Sequence, residues 1–94
     1  MKSSQKRAII IGTSTGIGRA LAKKLSAEGY LVGLTGRDLG KLEELQKELS
    51  GESVVRPIDL RNTREAVHSL GNLIMLMHGV DLLVVNAGVS HINP

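Results

Sequence analysis

Residues 8–18 constrain the fold more than any other stretch of the chain. Ala8-Ile9-Ile10-Ile11 is a continuous apolar, β-branched run, and it gives way at once to Gly12-Thr13-Ser14-Thr15-Gly16-Ile17-Gly18. A run that is apolar at every position, not at alternate ones, suits a strand buried on both faces, as in a parallel sheet with helices above and below. From Ile17 the period changes. Ile17, Ala20, Leu21 and Leu25 recur at helical spacing, with Arg19, Lys23, Lys24 and Glu28 on the other side, and Gly29 stands where a glycine would stop the helix. Three glycines therefore sit where a buried strand turns into a helix.

The same alternation continues to the end of the chain. Leu31 to Thr35 reads as a second strand, in which Gly33 leaves room for a helix to pack closely. Asp38 is placed to cap a helix running to Ser50, with Leu39, Leu42, Leu45 and Leu49 as its apolar stripe and Gly51 beyond it. Ser53 to Pro57 reads as a third strand. Asn62 followed by Glu65 has capping-box spacing, and Val67, Leu70, Leu73, Ile74 and Met77 form the expected buried face of a third helix, interrupted by Gly71. Asp81 to Asn86 closes the series as a fourth strand. The order βαβαβαβ, with one helix between successive strands, requires parallel strands and right-handed crossovers. The expected fold is α/β, a Rossmann-like parallel sheet of strand order 3-2-1-4.

Composition removes several chemistries. The 94 residues contain no cysteine, which excludes disulfides, zinc-thiolate sites and thiol nucleophiles. His68 and His78 lie ten residues apart on one helix, about 80° out of phase, so no metal site is expected. Met75 and Met77 are expected to fill gaps in the core. The apolar stretch from Val67 to Val85 is broken by His68, Asn72, His78 and Asp81, unlike a membrane span, and the basic start at Lys2, Lys6 and Arg7 has no long apolar core behind it. A cytoplasmic chain is the expectation, with residues 1–6 as a solvated tail. Those three basic residues account for the whole net charge of +3, and Tyr30 is the single aromatic residue. Neither a basic face nor a platform for stacking bases is available, so nucleic acid is not an expected partner.

At the glycine turn, each glycine has a separate task. One permits the tight turn, one lets the backbone approach phosphate oxygens, and one lets helix and strand pack closely. The free N–H groups and the dipole of the following helix then favour an anion, by about 0.3–1 kcal/mol at a surface. The spacing is not G-x-G-x-x-G, which would need glycine at Ser14 and Ile17, nor a P-loop, which would need lysine at Arg19.

The G-x-x-x-G-I-G pattern resembles the first loop of the short-chain dehydrogenase/reductase family, T-G-x-x-x-G-I-G, with Ile11 in place of the threonine. Two further matches fall at expected strand ends. Asp59-Leu60 stands where the family has the acidic residue that contacts the adenine ring, and Asn86-Ala87-Gly88 matches the last three residues of N-N-A-G, with Val85 in place of the first asparagine. The resemblance covers essentially the whole chain but only the cofactor half of the family domain, which is usually well over twice this length. It implies a dinucleotide bound by Gly12, Ser14, Thr15, Gly16, Ile17, Gly18, Asp59, Leu60, Asn86, Ala87 and Gly88, in a protein that is in complete form a carbonyl or alcohol oxidoreductase.

Arg37, at the end of the second strand, bears on which dinucleotide. A carboxylate there would bind a ribose 2′-hydroxyl, whereas a guanidinium suits a 2′-phosphate. Gly36-Arg37 therefore favours NADP over NAD, unless Arg37 is paired with the adjacent Asp38. The family's catalytic serine and Tyr-x-x-x-Lys lie beyond the N-A-G segment. Tyr30 has Leu34 four residues after it, so no catalytic residue is assigned within the chain. A non-catalytic nucleotide-binding module and a bare structural fragment are the alternatives. The Leu82 to Val85 strand is expected to lie at an open sheet edge and to be covered by another copy of the chain.

Overall fold

The β-branched run that opens the sequence forms the second-from-edge strand of a four-stranded parallel sheet. In a computed structural model that describes residues 5–12 and 16–86, strands and helices alternate as β1 (Arg7–Ile11), α1 (Gly16–Ala27), β2 (Leu31–Gly36), α2 (Leu39–Glu48), β3 (Ser53–Pro57), α3 (Thr63–Leu76) and β4 (Leu82–Val85). The sheet order is β3-β2-β1-β4, as expected, with every pairing parallel, as the alternation of strands and single helices requires. Of the expected tail, only Gln5 and Lys6 are described. Lys6 O accepts from Leu31 N at 2.9 Å, and Gln5 Nε2 donates to Gly29 O at 3.1 Å.

Alternation along β1 divides the core between two layers. Ala8 and Ile10 face α1 and α2, where they meet Ala22, Leu25, Leu42 and Leu45. Ile9 and Ile11 face α3 and its Leu73 and Met77. β1 and β2 have neighbours on both sides and helices on both faces, so their apolar residues are almost wholly buried. β3 and β4, at the edges, are only partly covered. Gly33 performs the packing role expected of it. A Cβ there would stand 2.9 Å from Met77 Sδ, 3.1 Å from Ile9 Cγ1 and 3.3 Å from Leu73 Cδ2, so α3 sits directly on the β2 backbone.

The helices are rotated relative to the expected phase. α1 buries Gly18, Ala22, Leu25 and Ser26, while Ile17 is 74% exposed and Ala20 is also at the surface. Small residues on that face bring the helix close to the sheet and turn the larger Ile17 outward. In α2 the buried pair is Leu42 and Leu45, with Leu39 exposed. The helix ends at Glu48, not Ser50, with Leu49 as its C-cap. α3 docks through Ala66, Leu73 and Met77, with Leu70 and Ile74 at the margins, and Val67 and Met75 point away from the core at 67% and 77% exposure. Ala66, Leu70, Leu73 and Met77 form a true i, i+4, i+7, i+11 stripe, and Val67 lies about 100° from Ala66. Gly71 faces open space, so as an interior glycine it weakens α3 by about 1 kcal/mol relative to alanine with no packing return.

Two local features differ from the sequence pattern. Only half of the capping box forms. Asn62 Oδ1 accepts from Glu65 N at 3.3 Å, while the Asn62 amide donates to Asp59 O at 3.2 Å. The expected first strand starts at Ala8, but Arg7 already belongs to it. Arg7 opens β1 and donates through its backbone N to Asp81 Oδ2 at 2.8 Å, while Asp81 N donates to Arg7 O at 2.8 Å, and the Arg7 side chain bonds both Asp81 and the His78 carbonyl. These bonds fasten the start of β4 to the start of β1 and hold the Asp81 carboxyl below its ordinary pKa, chiefly through the Arg7 backbone bond. Along β4, Leu82, Leu83 and Val85 are exposed. Among the described residues no helix is long and apolar enough to cross a membrane.

Candidate dinucleotide site

The register puts the carboxyl ends of all four strands level. Ile11 is opposite Thr35 on one side and Val85 on the other, and Thr35 is opposite Arg56. The residues that follow, Gly12, Gly36-Arg37, Ile58-Asp59 and Asn86, therefore emerge along one rim of the sheet. Between β2 and β4 the chain order reverses about β1, and this switch point leaves a crevice at the carboxyl ends of the strands.

Gly12 occupies the centre of that crevice. Its N–H donates to Thr35 O at 3.0 Å and its carbonyl accepts from Asn86 Nδ2 at 3.0 Å, while Asn86 N donates to Ile11 O at 2.7 Å. The turn is thus held from β2 and from β4 at once, with φ of 91° at Gly12, a conformation that favours glycine. Asn86, matched by resemblance to a cofactor-contacting segment, here braces the glycine turn. Gly16 starts α1 with φ of 53° and nothing beside its Cα, Ile17 is exposed, and Gly18 is buried against the sheet. The first-turn amides of α1 have no intrahelical acceptor, and no acidic side chain occupies that turn. An anion placed there meets N–H groups and the positive end of the helix dipole. Ser14, Thr15, Ala87 and Gly88 lie outside the described residues.

A second part of the rim lies between β2, β3 and α3. Ile58 N donates to Gly36 O at 2.8 Å and draws the β3–α3 connection against the end of β2. The result is a cavity of about 320 Å³ that brings together Arg37, Asp59, Arg61, Glu65 and Ser69 over a floor of Pro57, Ile58 and Ala66. Leu60 is 41% exposed and does not line it. Asp38 is engaged elsewhere, its Oδ1 accepting from Lys41 N at 3.2 Å as the N-cap of α2. Among the described residues Arg37 has no hydrogen bond or ion pair, so the alternative pairing with Asp38 is not formed.

Asp59 does have a partner, one absent from the sequence-based expectations. Arg61 Nε donates to Oδ1 at 3.0 Å, Arg61 Nη2 donates to Oδ2 at 2.8 Å, and the Arg61 backbone N donates to Oδ1 at 2.9 Å. The Asp-x-Arg spacing just after a strand was the available signal, since an Asx turn places residue i+2 beside the carboxylate. These bonds, the side-chain one foremost, lower the Asp59 pKa to about 2, with Arg37 adding a smaller effect through space. Because the folded value lies below the ordinary 3.8, the stabilisation is fully present above that value and is lost as pH falls through about 2. A carboxyl-carbon NMR titration is expected to place the Asp59 midpoint near 2, and Arg61→Ala should move it up toward 3.8. A midpoint unchanged by the substitution would contradict the pairing. Among the described residues no group of three His, Asp or Glu side chains could hold a metal ion.

A parallel α/β half-sheet with a glycine turn at its switch point and a polar cavity beside it defines a nucleotide-binding class of fold. The short chain dehydrogenase family matches residues 6–94, and the chain belongs to that family. It is 42% identical over 86 residues to nodulation protein G of Rhizobium sp. (strain N33), a match that takes in 90% of this chain and 35% of that protein. A probable NADP-dependent dehydrogenase of Haemophilus influenzae is 35% identical over 83 residues, 88% of this chain and 33% of that protein. Among solved structures, a metagenomic short-chain oxidoreductase in complex with NADP superposes with a TM-score of 0.81 at 34% identity, covering 88% of this chain and 39% of that one. The chain thus spans about a third of the length of the relatives it matches.

Proposed function

We propose that this chain is the NADP-binding portion of a short-chain carbonyl or alcohol oxidoreductase. The observation that carries the cofactor choice is Arg37, a guanidinium with no partner among the described residues, at the β2 end of the rim and in the wall of the 320 Å³ cavity. The NADP-complexed neighbour and the NADP-dependent relative support the same reading.

The residues fit the parts of a dinucleotide. The amides of Gly16 to Gly18 receive the pyrophosphate, and Gly12, with no side chain, lets it approach the end of β1. Ser14, Thr15, Ala87 and Gly88 are assigned to the same contacts by resemblance. Asp59 is assigned to the adenine. A carboxylate has about four acceptor positions, and Arg61 N–H groups already reach both oxygens of Asp59, so an adenine amine shares one of those oxygens with Arg61. Arg37 binds the 2′-phosphate bidentately, which a lysine could not do in the same plane. When bound, the nicotinamide supplies the hydride chemistry; the residues described here bind and orient. Calorimetric titration of the chain is expected to give NADPH an affinity about 10-fold or more above that of NADH, the value of one charged hydrogen bond. Equal affinities would contradict the NADP assignment.

A further inference from the structure

The cavity at the β2 and β3 ends holds four charged side chains, Arg37 and Arg61 against Asp59 and Glu65. We propose that Arg61 is a positioning residue for cofactor selectivity: by its bidentate bond it occupies and neutralises Asp59, leaving Arg37 free to bind a ribose 2′-phosphate. This inference rests on the NADP reading and deepens it.

The charge count carries the argument. With Arg61 in place the cavity wall sums to zero, and a phosphate monoester bringing about −1.5 to −2 meets one uncommitted guanidinium. Without Arg61 the wall sums to −1, and Asp59 becomes an unpaired carboxylate in the same wall as Arg37, close enough to feel its charge. Either Asp59 then draws Arg37 into an ion pair or it repels the incoming phosphate. Both outcomes weaken a 2′-phosphate ligand and leave a 2′-hydroxyl ligand almost untouched. Arg61 is already committed to Asp59. Its Nε, Nη2 and backbone N–H all point at Asp59. The Arg61 side chain is 76% exposed, so the pair is screened by salt, and its effect on selectivity is largest at low ionic strength.

The test compares adenosine 2′,5′-bisphosphate with adenosine 5′-monophosphate, which share adenine, ribose and 5′-phosphate, on the chain itself in low salt. The unsubstituted chain is expected to prefer the bisphosphate, and Arg61→Ala to reduce that preference about 10-fold. Adding Asp59→Asn to Arg61→Ala should restore it, because the unpaired carboxylate is gone, and any lost adenine contact affects both ligands alike. An equal loss on both ligands in Arg61→Ala, or no recovery in the double variant, would overturn the role of Arg61 while leaving the NADP reading intact. Absence of any preference in the unsubstituted chain would overturn the NADP reading, and this inference with it.

Discussion

Gly33→Val is expected to lower the unfolding free energy by about 3 kcal/mol, the upper end of the range for overpacking a core. The Cβ alone would fall 2.9 Å from Met77 Sδ and 3.1 Å from Ile9 Cγ1, and the two further methyl carbons have nowhere to go, because Ile9, Leu73 and Met77 are all fully buried. Met77 can yield somewhat at its flexible end, so Gly33→Ala should cost much less. The loss should appear as a lower urea midpoint at unchanged slope. A valine variant as stable as the parent would mean that α3 does not rest on the β2 backbone. The consequence reaches the site, because α3 supplies Glu65, Ala66 and Ser69 to the cavity wall.

Arg37→Ala should weaken NADPH binding by about 10-fold or more and leave NADH binding nearly unchanged, since only the phosphorylated ribose gives the guanidinium a charged acceptor. Stability should change by no more than about 0.5 kcal/mol, as is usual at exposed positions without partners. Arg37 is exposed and has no hydrogen bond or ion pair among the described residues. Parallel titrations with the two cofactors read the result, and equal losses for both would show that Arg37 does not recognise the 2′ position.

The parallel pairing and the place of the glycine turn were legible because each rests on a local pattern with one physical solution, while the strand order came with the family resemblance. An apolar run at residues 8–11 has to be buried on both faces, and single helices between strands force parallel pairing. Gly33 was legible for a related reason, since a missing side chain in a strand marks a close approach. Helix phase was not. Ile17 and Val67 were assigned inward because they are large and apolar, but the helices dock through Gly18 and Ala66, whose small size sets the distance to the sheet. Periodicity alone does not distinguish an apolar stripe from one rotated by a single residue when small residues lie beside it. The roles of Arg7 and Arg61 were not read from the sequence either, for other reasons. The Arg7 partner, Asp81, is 74 residues away and meets it only through strand register, whereas Arg61 and Asp59 share one turn, where the Asp-x-Arg spacing was the signal. Asn86 was located correctly at the end of β4, but its bond to Gly12 O became visible only with the register in hand.

The central claim, that the glycine turn and the start of α1 hold the pyrophosphate of a dinucleotide, is tested most directly by titrating NADPH into the isotopically labelled chain and following every backbone amide. The largest saturable shifts are expected at Gly12, Gly16, Ile17, Gly18 and Asn86, with a second group at Arg37 and Asp59, all on the carboxyl rim of the sheet. Shifts confined to the opposite rim, around Arg7, His78 and Asp81, or to the outer faces of α2 and α3, would contradict it.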